Sequence, residues 1–172
     1  MTTANKITIF RVLLIPVFLF LAYTDRMPWA FAVFVIASLS DMVDGYIARH
    51  YNQITDFGKF MDPLADKVLV MAAMCFFVEK GSMPGWALAI VLLREFAVSG
   101  MRLVAVEQGR VIAAAWSGKV KTAVTMVGLC AMLLFSSVPA VNIIVTILIV
   151  ATTVYSGVEY FYKNRDVFRH VE

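Results

Sequence analysis

The sequence predicts an all-α integral membrane protein in which six transmembrane helices form a single domain over residues 1–172. Two observations predict this class. Of the 172 residues, 61% are hydrophobic and only 16% are charged, whereas about a quarter of the residues in an average soluble domain are charged. Apolar runs also recur at the length of roughly 20 residues that a helix needs to cross the hydrocarbon core.

The predicted spans cover residues 6–23, 29–50, 62–79, 84–106, 120–137 and 139–162. The first span carries Arg11 and lacks a small-residue cleavage site after Tyr23, so it is interpreted as a retained helix. The later spans are delimited in order by TDRMP, an acidic segment, EKGSMP, the stretch from EQGRV to SGK, and SSVP. Cys75 and Cys130 fall within spans and are interpreted as packing residues.

Basic residues predict the orientation, because cytoplasmic loops carry an excess of Lys and Arg. With six spans, both termini share one side with the loops at 50–61 and 107–119. That side holds Lys6, Arg11, Arg49, Lys59, Arg110, Lys119, Lys121, Lys163, Arg165 and Arg169. The opposite loops hold Arg26 and Lys80. We therefore expect both termini at the cytoplasmic face of the cell membrane, where the basic surface contacts either lipid headgroups or an anionic substrate.

The acidic segment SDMVDGYIARHYNQITDFGKFMDPLADK covers residues 40–67. Asp41 and Asp44 are three residues apart near the end of the second span, and Asp62 and Asp66 are four apart at the start of the third. Each pair shares a helix face, and we expect a loop containing Asn52 and Gly58 to bring the two helices side by side. Four converging carboxylates repel one another. Divalent cations that prefer carboxylate oxygen, Mg²⁺ or Mn²⁺, would relieve this repulsion.

These aspartates also have two simpler interpretations. They could be ordinary helix-end charges, which is our interpretation of Asp56, or partners in structural salt bridges with Arg49, Lys59 and Lys67. For Asp41 and Asp44 the first interpretation is poor, because charge within a membrane span is rare and usually functional.

The segment matches a longer pattern with fixed spacing. It reads Asp41-x2-Asp44-Gly45-x2-Ala48-Arg49-x8-Gly58-x3-Asp62-x3-Asp66. This resembles the complete signature of the CDP-alcohol phosphatidyltransferases, with no departure at any fixed position. The resemblance implies a six-helix membrane core and an active site near the cytoplasmic face. It also implies a reaction in which a CDP-linked lipid donates its phosphatidyl group to an alcohol and CMP is released.

The resemblance also implies roles for the signature residues. Asp41, Asp44 and Asp62 are implied ligands of two divalent ions, Mg²⁺ or Mn²⁺. Asp66 is similar to the general base of the family, and its role as base, metal ligand or both stays open. Gly45, Ala48 and Gly58 are expected to line the cytidine pocket, and Arg49 offers a bidentate fork to the pyrophosphate.

Three further segments resemble the phosphatidylglycerophosphate synthase branch of the family, whose acceptor is sn-glycerol 3-phosphate. NKITIFR places Asn5, Thr8 and Arg11 on one helix face, where we expect donor binding. LLREFAVSGMR and SGKVKT contribute the expected acceptor phosphate-binding residues, which are Arg102, Lys119, Lys121 and Thr122. Cationic and hydroxyl groups at a helix start suit phosphate. Arg94–Glu95 is interpreted instead as a structural ion pair, and Lys119 and Lys121 could simply be basic flanking residues.

The resulting expectation is an enzyme that converts CDP-diacylglycerol and glycerol 3-phosphate into phosphatidylglycerophosphate and CMP. Alternatives are another acceptor, such as inositol phosphate or a phosphatidyl lipid, a divalent-cation transporter, and a metal-stabilised scaffold. A transporter would carry polar groups across the whole bilayer, and a scaffold leaves Arg49 and Gly58 unexplained. Membrane lipids are expected partners, and nucleic acid is not. The family often forms homodimers, but no pattern here identifies an interface.

Overall fold

Six α-helices make up most of the chain in a computed structural model that describes residues 3–50, 56–113 and 115–168. Side chains are described for residues 7–40, 61, 64, 65, 67–113 and 115–167. The helices are α1 (Thr3–Tyr23), α2 (Met27–His50), α3 (Asp56–Glu79), α4 (Gly85–Glu107), α5 (Trp116–Leu134) and α6 (Pro139–Lys163), followed by a short 3-10 turn at Arg165–Phe168. The described ranges contain no β-strand. The predicted all-α class and helix number are confirmed.

Two helices, α3 and α5, differ most from the predicted boundaries. α3 begins at Asp56, six residues before the predicted start at 62, so Gly58 belongs to a helix and not to the connecting loop. α5 covers Trp116–Leu134 in place of 120–137. The prediction followed apolar runs, whereas the first two turns of both helices carry several polar residues. In α5 two of these, Ser117 and Lys121, are buried inside the bundle. Asn52, the other residue of the predicted loop, lies outside the described residues.

The helices pack as a bundle around a shared apolar core. α1 packs against α2 and α3, α5 packs against α2 and α6, and α4 packs against α3 and α6. Fully buried side chains from several helices meet there, including Phe34, Leu69, Leu129 and Ile149. The rings of Phe18 and Phe34 join α1 to α2 at a centroid distance of 5.6 Å.

Polar contacts close the bundle at its two ends. At one end the Tyr23 hydroxyl donates to the Glu79 carboxylate, and Lys80 Nζ lies 3.2 Å from an Asp25 carboxylate oxygen. At the other end Arg110 pairs with Asp166, beside the C-terminal ends of α4 and α6. The C-terminal ends of α1 and α3 therefore lie opposite those of α4 and α6.

The outward surface is strongly apolar, which indicates a membrane protein. Among the described residues, α5 and α6 are long and apolar enough to cross a bilayer, and 33% of each span is buried. Large apolar side chains such as Leu93, Phe96 and Val127 face outward at about 70% exposure. Patches of this kind are rare on soluble monomers. Every 18-residue stretch of α4 contains Arg94, Glu95 and Arg102, so its composition alone does not identify it as a span.

Candidate active site

The acidic signature occupies the last three turns of α2 and the first three turns of α3. Because both stretches are helical, the backbone keeps each pair, Asp41 with Asp44 and Asp62 with Asp66, about one turn apart. The side chains of these aspartates, and those of Asn5, Gly45, Ala48, Arg49 and Gly58, lie outside the described residues. Within the described side chains, no group of three or more His, Cys, Asp and Glu residues comes together. The metal ligands therefore remain a prediction.

Arg11 joins α1 to α2 immediately before the signature begins. Its side chain is completely buried, and Nε donates to Ser40 Oγ over 3.2 Å. Thr8, one turn earlier on α1, is also completely buried. A buried guanidinium is costly unless it is hydrogen-bonded. Ser40, the residue before Asp41, provides such a bond and so links Arg11 to the start of the signature. Thr8 and Arg11, the two expected donor-binding residues of α1 whose side chains are described, thus lie inside the bundle.

A cavity of about 800 Å³ opens between α2, α3, α4, α5 and α6. Its volume lies within the range of roughly 300–1,000 Å³ that is typical of small-molecule sites. Its polar lining consists of Ser38, Lys67, Arg94, Glu95, Ser99, Arg102, Lys119, Lys121, Thr122, Thr125 and Tyr160. The four residues expected to bind the acceptor phosphate therefore line one cavity. The sequence did not indicate that Lys67, Ser99 and Tyr160 would join them.

Glu95 is the centre of the charged wall of this cavity. Its Oε1 accepts hydrogen bonds from Arg94 Nη1 at 2.9 Å and from Lys121 Nζ at 2.8 Å. Lys67 Nζ lies 3.7 Å from Glu95 Oε2 and donates to Ser99 Oγ over 2.6 Å. Among the described side chains, three cations thus surround one carboxylate, which is an excess of two positive charges.

The expected Arg94–Glu95 ion pair is present, but it belongs to a network that joins four helices. Arg94 Nη2 also donates to Ser156 Oγ on α6 over 2.7 Å. Two glycines leave room for its guanidinium and stem. A Cβ at Gly118 would lie 3.3 Å from Arg94 Nη2, and one at Gly157 would lie 3.3 Å from Arg94 Cγ. Small residues at membrane helix interfaces allow this close approach.

The four expected phosphate-binding residues occupy different environments. Lys121 is 5% exposed and paired with Glu95, so it is not a basic flanking residue. Lys119 and Thr122 are exposed, and the Thr122 hydroxyl donates to the Gly118 carbonyl oxygen over 3.0 Å. Arg102 Nε donates to the Tyr160 hydroxyl oxygen over 2.8 Å. Among the described residues that line the cavity, five cationic side chains therefore outnumber one carboxylate.

Comparison with known proteins gives a consistent set of relatives. The chain matches the family model described as CDP-alcohol phosphatidyltransferase over residues 1–155. A Bacillus subtilis (strain 168) protein named "CDP-diacylglycerol--glycerol-3-phosphate 3-phosphatidyltransferase" is 39% identical over 186 residues, covering 96% of each chain. A Mycobacterium tuberculosis (strain H37Rv) protein named "Probable phosphatidylglycerophosphate synthase" is 35% identical over 173 residues, covering 95% of this chain and 82% of the relative.

A third relative comes from Salmonella typhimurium (strain LT2) and carries the same name as the Bacillus protein. It is 40% identical over 136 residues, which cover 72% of this chain and 71% of the relative. The family match contains the acidic signature and nearly all of the cavity wall. It ends before Ser156 and Tyr160 on α6.

Proposed function

Because the chain belongs to the CDP-alcohol phosphatidyltransferase family, we propose that it transfers the phosphatidyl group of CDP-diacylglycerol to sn-glycerol 3-phosphate. The products are phosphatidylglycerophosphate and CMP. The names of the relatives support this acceptor, and one observation on the molecule carries it, namely the cationic cavity beside the acidic ends of α2 and α3. Family membership also favours a transferase over a cation transporter or a scaffold.

The charge of the cavity suits a phosphate monoester. A phosphate monoester carries close to two negative charges at neutral pH, and the network around Glu95 carries an excess of two positive charges. Arg102 and Lys119 add two further cations to the same wall. An uncharged alcohol would leave these cations without a counter-charge, so the cavity favours an acceptor that carries its own phosphate. Lys121 would then bind the acceptor phosphate from the buried wall of the cavity, and Thr122 would bind it from the exposed rim.

The acidic signature and the cavity are connected along two helices. In α2, Asp41 lies three residues after Ser38, and in α3, Asp66 lies four residues before Val70. Ser38 and Val70 both line the cavity, and residues three or four apart share a helix face. Asp66 also directly precedes Lys67, which reaches Glu95. This register supports a hydroxyl acceptor placed between the cavity cations and Asp66.

The proposed reaction is an in-line displacement at the phosphorus that carries diacylglycerol. The primary hydroxyl oxygen of the acceptor forms the new bond to phosphorus, the bond from phosphorus to the CMP oxygen breaks, and CMP leaves with the electron pair. Asp66 takes the proton of the hydroxyl, as a positioned general base. Arg49 would bind the pyrophosphate, and residues Asn5, Thr8, Arg11, Gly45, Ala48 and Gly58 would complete the donor site.

The donor set also fits divalent metal. Asp41, Asp44, Asp62 and Asp66 offer only hard carboxylate oxygens, which suit Mg²⁺ or Mn²⁺ and not softer ions. When bound, two such ions would stabilise negative charge on the phosphate oxygens of the donor. In their absence the four carboxylates would repel one another.

The proposed topology is a multi-pass protein of the cell membrane, with one domain over residues 1–172, six spans and both termini cytoplasmic. The end of the bundle that holds the C-terminal ends of α4 and α6 carries Arg110, Lys163 and Arg165. This basic end fits the cytoplasmic face, from which a water-soluble acceptor would arrive. The apolar outer faces of the helices would contact membrane lipids. No described contact identifies a dimer interface.

A panel of acceptors tests this proposal. Purified protein in detergent–lipid micelles would receive CDP-diacylglycerol with glycerol 3-phosphate, glycerol, an inositol phosphate or a phosphatidyl lipid, and CMP release would be measured. We expect release with glycerol 3-phosphate and not with glycerol. Release with a different acceptor alone would overturn the acceptor, and no release with any alcohol would overturn the transferase.

A further inference from the structure

Tyr160 stands where the wall of the acceptor cavity meets the C-terminal end of the bundle. It lies on α6 and is only 2% exposed, packed with Val98, Met101, Ala105 and Val167. Its side chain lines the 800 Å³ cavity and also a second cavity of about 350 Å³, beside Arg110 and Lys163. A tyrosine ring this deeply buried has a fixed position, so its hydroxyl offers a fixed hydrogen-bonding point to the cavity.

Two contacts hold Arg102 on Tyr160. Arg102 Nε donates to the Tyr160 hydroxyl oxygen over 2.8 Å, and the guanidinium carbon lies 5.5 Å from the ring centroid. Guanidinium has five N–H donors, and Tyr160 uses the one nearest the stem. The two terminal amino groups, which form the fork that matches a phosphate, have no other hydrogen-bond partner among the described residues.

We propose that Tyr160 is a positioning residue that holds Arg102 ready for the phosphate of the acceptor, and so contributes to the choice of a phosphorylated acceptor over an uncharged alcohol. This inference rests on the proposed function. Ordering a long arginine side chain costs conformational entropy when the ligand binds. A buried hydroxyl that restrains Arg102 beforehand lowers that cost. Tyr160 lies beyond residue 155, where the match to the family ends, so the shared signature does not assign it.

The variant Tyr160→Phe tests the proposal because it keeps the ring and its packing and removes only the hydroxyl. We expect the KM for glycerol 3-phosphate to rise roughly fivefold. The variant removes the hydrogen bond that restrains Arg102, but it keeps Arg102 itself. The KM for CDP-diacylglycerol and kcat should stay within about twofold. The inhibition constant of inorganic phosphate, competing with the acceptor, should rise in parallel.

Tyr162→Phe is the matched control. Tyr162 is 70% exposed, and the Arg165 guanidinium carbon lies 5.4 Å from its ring centroid, but it does not line the acceptor cavity. This variant pairs the same substitution with the same kind of cation–ring contact, so its acceptor KM should not change.

A double-variant cycle separates positioning from general packing. If Tyr160 acts through Arg102, adding Tyr160→Phe to Arg102→Gln should change the acceptor KM by less than about twofold. The inference would be overturned if Tyr160→Phe changed the acceptor KM by the same factor with and without Arg102→Gln. It would also be overturned if Tyr160→Phe left the acceptor KM unchanged, or raised the donor KM to the same extent. A wild-type protein that releases CMP without glycerol 3-phosphate would instead overturn the proposed function together with it.

Discussion

The acidic ends of α2 and α3 and the cationic cavity beside them use charge in opposite ways. The four signature aspartates come from a short segment, residues 41–66. Its two cationic residues, Arg49 and Lys59, are too few to neutralise them. The cavity instead contains its own counter-ion, because Glu95 binds Arg94 and Lys121 and approaches Lys67. Under the proposed function the acidic region takes its neutralising charge from bound divalent cations, whereas the cationic region is partly neutralised by Glu95 before any ligand binds.

The two regions should respond differently to the loss of a carboxylate. Removing a carboxylate from the acidic region should reduce repulsion while it abolishes metal binding, so function is lost and stability is not. Removing Glu95 leaves cations without their partner in a region that is 6–13% exposed at Lys121, Arg94 and Glu95. There, stability and function should fall together.

The largest expected effect concerns the acidic region. Asp41→Asn or Asp62→Asn should lower kcat by more than roughly a thousandfold, because each ligand contributes several kcal/mol through the metal. Chelation should likewise remove activity, and added Mg²⁺ or Mn²⁺ should restore it. CMP release and metal titration would measure both effects.

Asp25→Asn provides the control for that change. Asp25 lies at the opposite end of the bundle, is 76% exposed at its side chain and pairs with Lys80. Its φ of 55° suits Asn as well as Asp, so activity should be unaffected. Full activity after complete chelation, or unchanged metal affinity in both Asp41→Asn and Asp62→Asn, would show that these aspartates are not the ligands.

The second effect tests the internal counter-ion. Glu95→Gln should lower the free energy of unfolding by about 3 kcal/mol, because it leaves Lys121 buried without a counter-charge. Adding Lys121→Met should recover part of that loss, since both partners are then replaced. Thermal unfolding in detergent would compare the two variants.

Glu159→Gln is the appropriate comparison for Glu95. Glu159 pairs with Lys163 one turn away on α6, and their side chains are 21% and 61% exposed. An ion pair that solvent reaches contributes little, so this variant should destabilise the protein far less than Glu95→Gln. If Lys121→Met instead worsened Glu95→Gln, the view of Glu95 as the counter-ion of Lys121 would be wrong.

The third effect concerns the cations that face the acceptor. Arg102→Ala or Lys119→Ala should lower kcat/KM for glycerol 3-phosphate roughly tenfold to hundredfold, because each charge-assisted contact contributes on the order of 1.5–3 kcal/mol. The KM for CDP-diacylglycerol should change little. Unchanged acceptor kinetics in both variants would leave the transferase proposal standing but remove the phosphate site.

The smallest effect concerns the space around Arg94. Gly118→Ala places a methyl group 3.3 Å from Arg94 Nη2, so the guanidinium must shift by a few tenths of an ångström, and we expect a cost of about 1 kcal/mol. Gly100→Ala is the control, because a methyl group at that position would meet nothing within 4 Å, and it should stabilise α4 slightly. Equal unfolding temperatures for the two variants would mean that the slot around Arg94 is not tightly packed.

The six helices could be predicted from sequence because apolar runs are local patterns. Apolar runs predicted the helices α1, α2, α4 and α6 to within a few residues. The acidic site stays a prediction, which rests on the spacing of its aspartates along two helices. The starts of α3 and α5 were missed because polar residues do not lengthen an apolar run, and in α5 two of those polar residues, Ser117 and Lys121, are buried inside the bundle.

The cationic cavity was decided by tertiary structure. Lys121 meets Glu95 across 26 residues of sequence, Arg102 meets Tyr160 across 58, and Arg94 meets Ser156 across 62. No periodicity within one helix encodes such pairs, because they depend on which faces of α4, α5 and α6 pack together. The sequence supplied the cationic residues, and the packing of the helices decided that Lys121 would be buried against a carboxylate while Arg102 would be held at the cavity by a tyrosine.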